Sequence, residues 1–168
     1  MPIESLQSID IGLHGVASAY FQNGVLLGAW YDLNRGRHRG PEAWATIASG
    51  VLVPSPPKVL TLETMQVYDT RSASGVNPDD LLQLQGVAGA LAFRFQSLGA
   101  QVAGVLPAQW KQQVPKKVMN ERVRGWCQYL GWLDGRIMLP GKERANDVWD
   151  AVGIGIVYQG LAGKLIRG

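Results

Sequence analysis

Four acidic residues stand inside or against segments whose neighbours are almost all apolar, and any fold of this chain must accommodate them. Asp10 interrupts Ser8-Ile9-Asp10-Ile11-Gly12, and Glu63 ends the run Val59-Leu60-Thr61-Leu62-Glu63. Asp147 and Asp150 flank Val148-Trp149, directly before the apolar segment 151–157. A carboxylate carried into the interior loses its hydration, a heavy cost unless a partner compensates it. One divalent cation compensates several carboxylates at once if they converge. The spacing of three puts Asp147 and Asp150 on one helix face. The fold must then bring two strand positions and one helix start to a single point.

The remaining pattern supplies those elements. Segments 5–13, 16–21 and 25–31 read as strands, and Asn23-Gly24 between the last two is a hairpin signal because both residues tolerate positive φ. Gly40-Pro41-Glu42 opens a short helix through Ala48, and the proline-rich loop at 54–57 leads into a fourth strand over 59–64. Asn77-Pro78-Asp79-Asp80 is a helix start: a capping side chain, a proline at the first helical position, and two acids facing the dipole. That helix runs to Gly99. A fifth strand is predicted over 102–106, a brief helix from Pro107, an amphipathic helix over 116–130 stopped by Gly131, and a last helix capped by Asn146 and running to Gln159. The order implies one domain over 1–168 of the α/β class. Its mixed five-stranded sheet has three antiparallel strands first and parallel strands after, flanked by helices.

At 168 residues, 46% hydrophobic and 17% charged, the chain is a globular domain and not a disordered one. A single cysteine, Cys127, excludes an internal disulfide and suits a reducing cytoplasm. No segment reads as a signal peptide or a membrane span. The formal charge is only +3, but if the four acids share one site the remaining surface is basic, notably at 35–39 and at Lys111, Lys116, Lys117, Arg122 and Arg124. Positive surface around an acidic centre suits a polyanionic substrate. The six tryptophans and Cys127 read as core or groove lining, with Trp149 pointing inward.

Several segments, in order along nearly the whole chain, resemble one family. Ile9-Asp10-Ile11-Gly12 resembles the "I-D-P-G" start of RuvC-type Holliday junction resolvases of the ribonuclease H-like superfamily. Leu62-Glu63-Thr64 resembles their second acidic strand end, and 82–90 their "L-x-x-x-R-G-V-A" helix. Pro107-Ala108-Gln109-Trp110-Lys111 is similar to "P-x-x-V-K", and Asn146-Asp147-Val148-Trp149-Asp150-Ala151 to the closing "A-D-A-A-D-A". Ile11 stands for the usual proline and Gln85 near the expected arginine, and 34–50 does not match, a divergence that fits a phage-type member.

The resemblance implies a ribonuclease H-like fold and a metal-dependent endodeoxyribonuclease that resolves four-way or branched DNA as a homodimer in the cytoplasm. Asp10, Glu63, Asp147 and Asp150 would hold two Mg²⁺ per site, with Mn²⁺ able to substitute, and Asp10 would bridge them. The products would be 5′-phosphate and 3′-hydroxyl ends. Lys111 would act at the scissile phosphate. Lys116, Lys117, Tyr68, Arg71 and Arg37 would contact DNA, and His14 is a further candidate. Helix 78–98 would form the dimer contact through Gly86, Gly89, Ala90 and Phe93, with Leu91 and Phe95 adding apolar area. Hard carboxylate ligands without a His/Cys set point to Mg²⁺ or Mn²⁺ over zinc. Two other readings share the acids: a nuclease acting on RNA or RNA–DNA hybrid, and a non-catalytic junction-binding protein. An actin-like phosphotransferase would need later Gly-rich phosphate loops that the chain lacks.

Overall fold

The computed structural model describes residues 3–12, 15–33, 40–64, 77–112, 114–141 and 144–161. Strands β1 (Ser5–Gly12), β2 (Gly15–Gln22) and β3 (Val25–Leu33) come first, then α1 (Pro41–Gly50) and β4 (Val59–Glu63). After them come α2 (Pro78–Ser97), β5 (Gln101–Val105), α3 (Pro107–Trp110), α4 (Lys116–Tyr129) and α5 (Ala145–Tyr158). The sheet has five strands in the order β3-β2-β1-β4-β5. β1 is antiparallel to β2 and β2 to β3, whereas β1–β4 and β4–β5 are parallel. This is the mixed sheet expected from the sequence.

The β2–β3 turn is built on Asn23 (φ 50) and Gly24 (φ 83), both left-handed. That geometry matches the twist of the strands it joins. Alternation along β1 divides the sheet's faces. Ile9 and Ile11 pack with Leu60, Leu62, Val87, Leu91 and Phe95 beneath α1 and α2. Leu6 packs with Ala17, Ala19 and Phe21 against α4 and α5. Asp10 shares the second face with Leu6 and Ser8. In the parallel β1–β4 register Ile9 pairs with Leu62, so the next step sets Asp10 beside Glu63 at the same end of the sheet.

Helix α5 determines what those acids meet. Every residue from Val148 to Ile156 is buried. Close approach depends on small residues: a methyl at Gly155 would overlap the Phe21 ring, and one at Gly153 would lie 2.8 Å from Trp110. Ser8 Oγ donates to the Ala151 carbonyl at 2.7 Å, tying helix to strand. Helix α4 braces α5 through Met119, Val123 and Cys127, one residue per turn, all buried.

On the opposite face Trp44 Nε1 donates to Gln83 Oε1 at 2.6 Å. Arg94 donates to the Ala48 and Val51 carbonyls, closing the end of α1. Asn77 caps α2 through the Asp79 amide, as predicted. The free edge of β3 is covered: Ala29 N donates to the Arg136 carbonyl and Met138 N to the Ala29 carbonyl, both at 2.8 Å.

Two expectations are corrected. Asn146 does not cap the last helix; Arg144 is the N-cap residue, without a side-chain bond, and Asn146 lies inside the first turn. Its side chain accepts from Asn120 Nδ2 at 2.9 Å instead, because packing against α4 offers that donor. Leu91 and Phe95 are wholly buried against the sheet, since they share the inward face of α2 with Gln83 and Val87, so they offer no area to a second copy.

The contact at Gly155 is testable. Alanine raises helix propensity by ~1 kcal/mol over glycine, but here it would overpack the core, a penalty of about 1–3 kcal/mol. Gly155→Ala is expected to lower unfolding free energy in urea. Gly125→Ala on α4, with no neighbour within 4 Å of the added methyl, is expected to raise it by about 0.5–1 kcal/mol.

Candidate active site

Asp10 is half-buried on β1, and Glu63 is buried as the last residue of β4. The first two turns of α5 cross that end of the sheet and present Asp147 and Asp150. Carboxylate oxygens of Asp10, Asp147 and Asp150 lie within 4.8 Å of one another. Gly12 follows close by: a side chain there would begin 3.2 Å from the Gly15 carbonyl and in ordinary contact, 3.9 Å, with Asp147 Oδ2. Glu63 stands beside the group, turned toward α3. Trp110 Nε1 donates to its Oε2 at 3.1 Å and Lys111 Nζ to its Oε1 at 3.1 Å.

Lys116, the first residue of α4, answers the other pair. Its Nζ lies 3.1 Å from Asp147 Oδ1 and 3.0 Å from Asp150 Oδ2. The sequence reading gave this lysine to DNA phosphate; the structure directs it to the two aspartates, because α4 packs along α5 and starts beside their carboxylates. Lys117 lies one position on, lining a groove of about 730 Å³ with Asn120, Glu121, Arg124, Asn146 and Trp149. Arg124 lies over the Trp149 ring at 5.2 Å.

Among the described residues two ammonium groups face four carboxylates, which leaves that set short of positive charge. Burial above all, and then the charges of Asp150, Glu63 and Asp147, hold the Asp10 carboxyl well above its ordinary range, with Lys116 opposing. Burial likewise raises Asp150, to about 6, despite Lys116. Burial works against the charge of Lys116, but Asp150 outweighs it, with help from Asp147 and Asp10, and the ammonium is held more firmly than in water. Asp150 Oδ1 is buried without a hydrogen-bond partner, an acceptor open to one more cation. Among the described residues all donors in the cluster are carboxylate oxygens, the ligand type that hard divalent ions prefer. The residues present fit such an ion.

Some contributors were not singled out from sequence. Trp110 anchors Glu63, which its place in a short apolar helix does not reveal. Asn120 follows Lys116 at an interval of four and leads to Arg124, already part of the basic stretch, a polar stripe that marks Asn120 by its spacing. On the other flank Arg144 lies 5.5 Å over the Tyr31 ring, and burial raises the Tyr31 phenol. Trp149 is buried as expected, and so is Cys127, whose thiol burial pushes up to about 12.

On α2, Gly86 is closed by Trp44 of the same chain. It therefore serves the α1–α2 contact, not a second subunit. Gly89 has open space around it, Ala90 is half-buried, and Phe93 is 75% exposed, with Leu82, about three turns earlier on the same helix, at 63%. Tyr68, Arg71, Arg37 and His14 lie outside the described residues. Among the described residues no helix is long and apolar enough to cross a membrane.

The raised Asp150 carboxyl has a signed consequence. It titrates near 3.8 when unperturbed and near 6 here, so between those values the folded chain holds a proton that the unfolded chain has released. Its contribution to stability is full below about pH 4 and lost as pH rises through 6. In EDTA the thermal midpoint should fall over that window. Asp150→Asn should flatten the fall and stabilise the fold at pH 7.5 by on the order of 2 kcal/mol; an unchanged profile would refute the assignment.

No protein-family model matches the chain, and no curated protein is similar to it in sequence. Solved structures are similar. Thermus thermophilus RuvC in complex with a Holliday junction substrate aligns at TM-score 0.68 and 18% identity, covering 95% of each chain. The yeast mitochondrial Holliday junction resolvase Ydc2 aligns at TM-score 0.62 and 14% identity, covering 99% of this chain and 82% of its own. The fowlpox virus resolvase, bound to Holliday junction DNA, aligns at TM-score 0.55 and 14% identity over 93% and 99%. The likeness drawn from five short motifs thus extends to the fold over 93–99% of the chain, a ribonuclease H-like fold similar to that of the RuvC-type resolvases.

Proposed function

We propose that this chain is a metal-dependent endonuclease that resolves four-way DNA junctions by symmetric phosphodiester hydrolysis, leaving 5′-phosphate and 3′-hydroxyl ends. One observation carries the reading: Asp10, Asp147 and Asp150 converge at the end of β1, with Glu63 alongside and a basic groove adjoining. The solved structures of similar fold that hold Holliday junction DNA support the choice of substrate.

Asp10, Asp147 and Asp150, with Glu63 alongside, would hold the two ions of such a site. Mg²⁺, or Mn²⁺ in its place, would lower the pKa of an attacking water and balance charge on the incoming and leaving oxygens. The chain's own groups do the rest. Trp110 fixes the Glu63 carboxylate through its indole N–H, so that acid needs no reorganisation when substrate arrives. Lys111 sits half-buried at the edge of the site, within reach of a phosphate as well as of Glu63. Lys117 and Arg124 extend positive charge along the groove, where a strand leaving the site would run.

A four-way junction is close to two-fold symmetric, and paired cuts call for two sites related by such an axis. The outward face of α2 suits that role, because Leu82, Gly89 and Phe93 lie on one stripe at helical spacing and expose apolar surface. Gly86 is left out of this interface by its contact with Trp44.

With Mg²⁺ the purified chain should nick a synthetic four-way junction at symmetric positions; equal cutting of linear duplex or RNA–DNA hybrid would favour the other nuclease reading. Binding in EDTA with no cutting under any metal would favour a scaffold. Asp10→Asn should reduce cleavage at least about a thousandfold, roughly 4 kcal/mol of barrier, while junction binding in gel shift persists. Phe93→Glu should move the chain from dimer to monomer in light scattering with its circular dichroism unchanged.

A further inference from the structure

The position of Lys116 is unusual for a lysine. It opens α4, where the helix dipole disfavours a cation, and no acidic residue lies in that first turn to offset it. What holds it are Asp147 and Asp150, bridged at 3.1 and 3.0 Å. Both belong to the three-carboxylate group within 4.8 Å that would receive a divalent ion. An ammonium at that distance from two of the three occupies the same electrostatic position as the ion. The side chain is 49% exposed and already lines the same groove as Lys117 and Arg124, so its ammonium can leave the aspartates without leaving the groove wall.

Resting on the metal-site reading above, we infer that Lys116 is a resident counter-ion that competes with the divalent cation for Asp147 and Asp150. Metal loading turns it out into the groove, where it becomes a phosphate contact. One lysine then has two alternative anionic partners, and metal binding and DNA binding reinforce each other through it. By linkage the reinforcement is reciprocal. Lys117, not engaged by the aspartates, has no such alternation.

The test uses the full chain stripped with EDTA and Mn²⁺ as the probe, with free Mn²⁺ followed by electron paramagnetic resonance and no DNA present. Lys116→Met is expected to bind Mn²⁺ about tenfold more tightly than wild type, and Lys116→Arg, which keeps the competing charge, to remain near wild type. Unchanged or weaker binding by Lys116→Met, or equal tightening by both variants, would overturn the inference. Should Lys116→Met fail to fold, lysine acetylation of the wild-type chain read by mass spectrometry supplies the answer. Labelling of Lys116 should rise several-fold on adding Mn²⁺ while that of Lys117 stays level, and a flat response at Lys116 would overturn the idea. Asp150→Asn separates the two levels of the argument. If it binds Mn²⁺ like wild type, the metal site itself is wrong; if it loses Mn²⁺ while the Lys116 measurements show no competition, only the counter-ion role falls.

Discussion

The close seating of α5 on the sheet is the constraint from which the rest follows. A helix that carries two aspartates in its first two turns can deliver them to a strand end only if its axis runs nearly in contact with that strand. Gly153 and Gly155 remove the side chains that would hold it off, and the Ser8–Ala151 hydrogen bond fixes the depth. The gain is buried apolar surface along the whole middle of α5, and that packing holds like charges together against their repulsion. Stability is thus spent at the acidic end and recovered in the glycine-lined centre.

Around that cluster the chain arranges two kinds of support. Trp110 and Lys111 arrive together from α3 and fix Glu63 from outside the group. Lys116 arrives from α4 and sits within it. The two lysines are therefore not equivalent, although both stand just beyond a proline-marked break in the sequence. One orients an acid; the other sits against two of the three acids that the proposed metal ion would need.

Much of this was legible from the residues alone, where a local rule and the global fold agreed. The Asn23-Gly24 turn and the Asn77-Pro78 start are dictated by backbone chemistry, and both appear where expected. So does the meeting of strand and helix acids, because desolvation leaves few other resolutions. The misreadings have a common cause. Asn146 was a better cap than Arg144 on local grounds, but a donor from Asn120 on another helix claimed its side chain. Gly86 signalled close approach without saying to what, and Trp44 of the same chain supplied the answer. That Lys116 meets Asp147 and Asp150 is a matter of three-dimensional distance, which spacing along the chain does not encode.

The strip that seals the edge of β3 has a mechanical implication for substrate choice. Residues 136–138 are hydrogen-bonded to Ala29, and the chain continues directly into Leu139, Pro140 and Gly141, which form the far wall of the groove. The sheet edge thus sets where that lining starts. On the proposed reading a duplex arm seated there would bend to follow it, and the deformability of the nucleic acid would count in its selection.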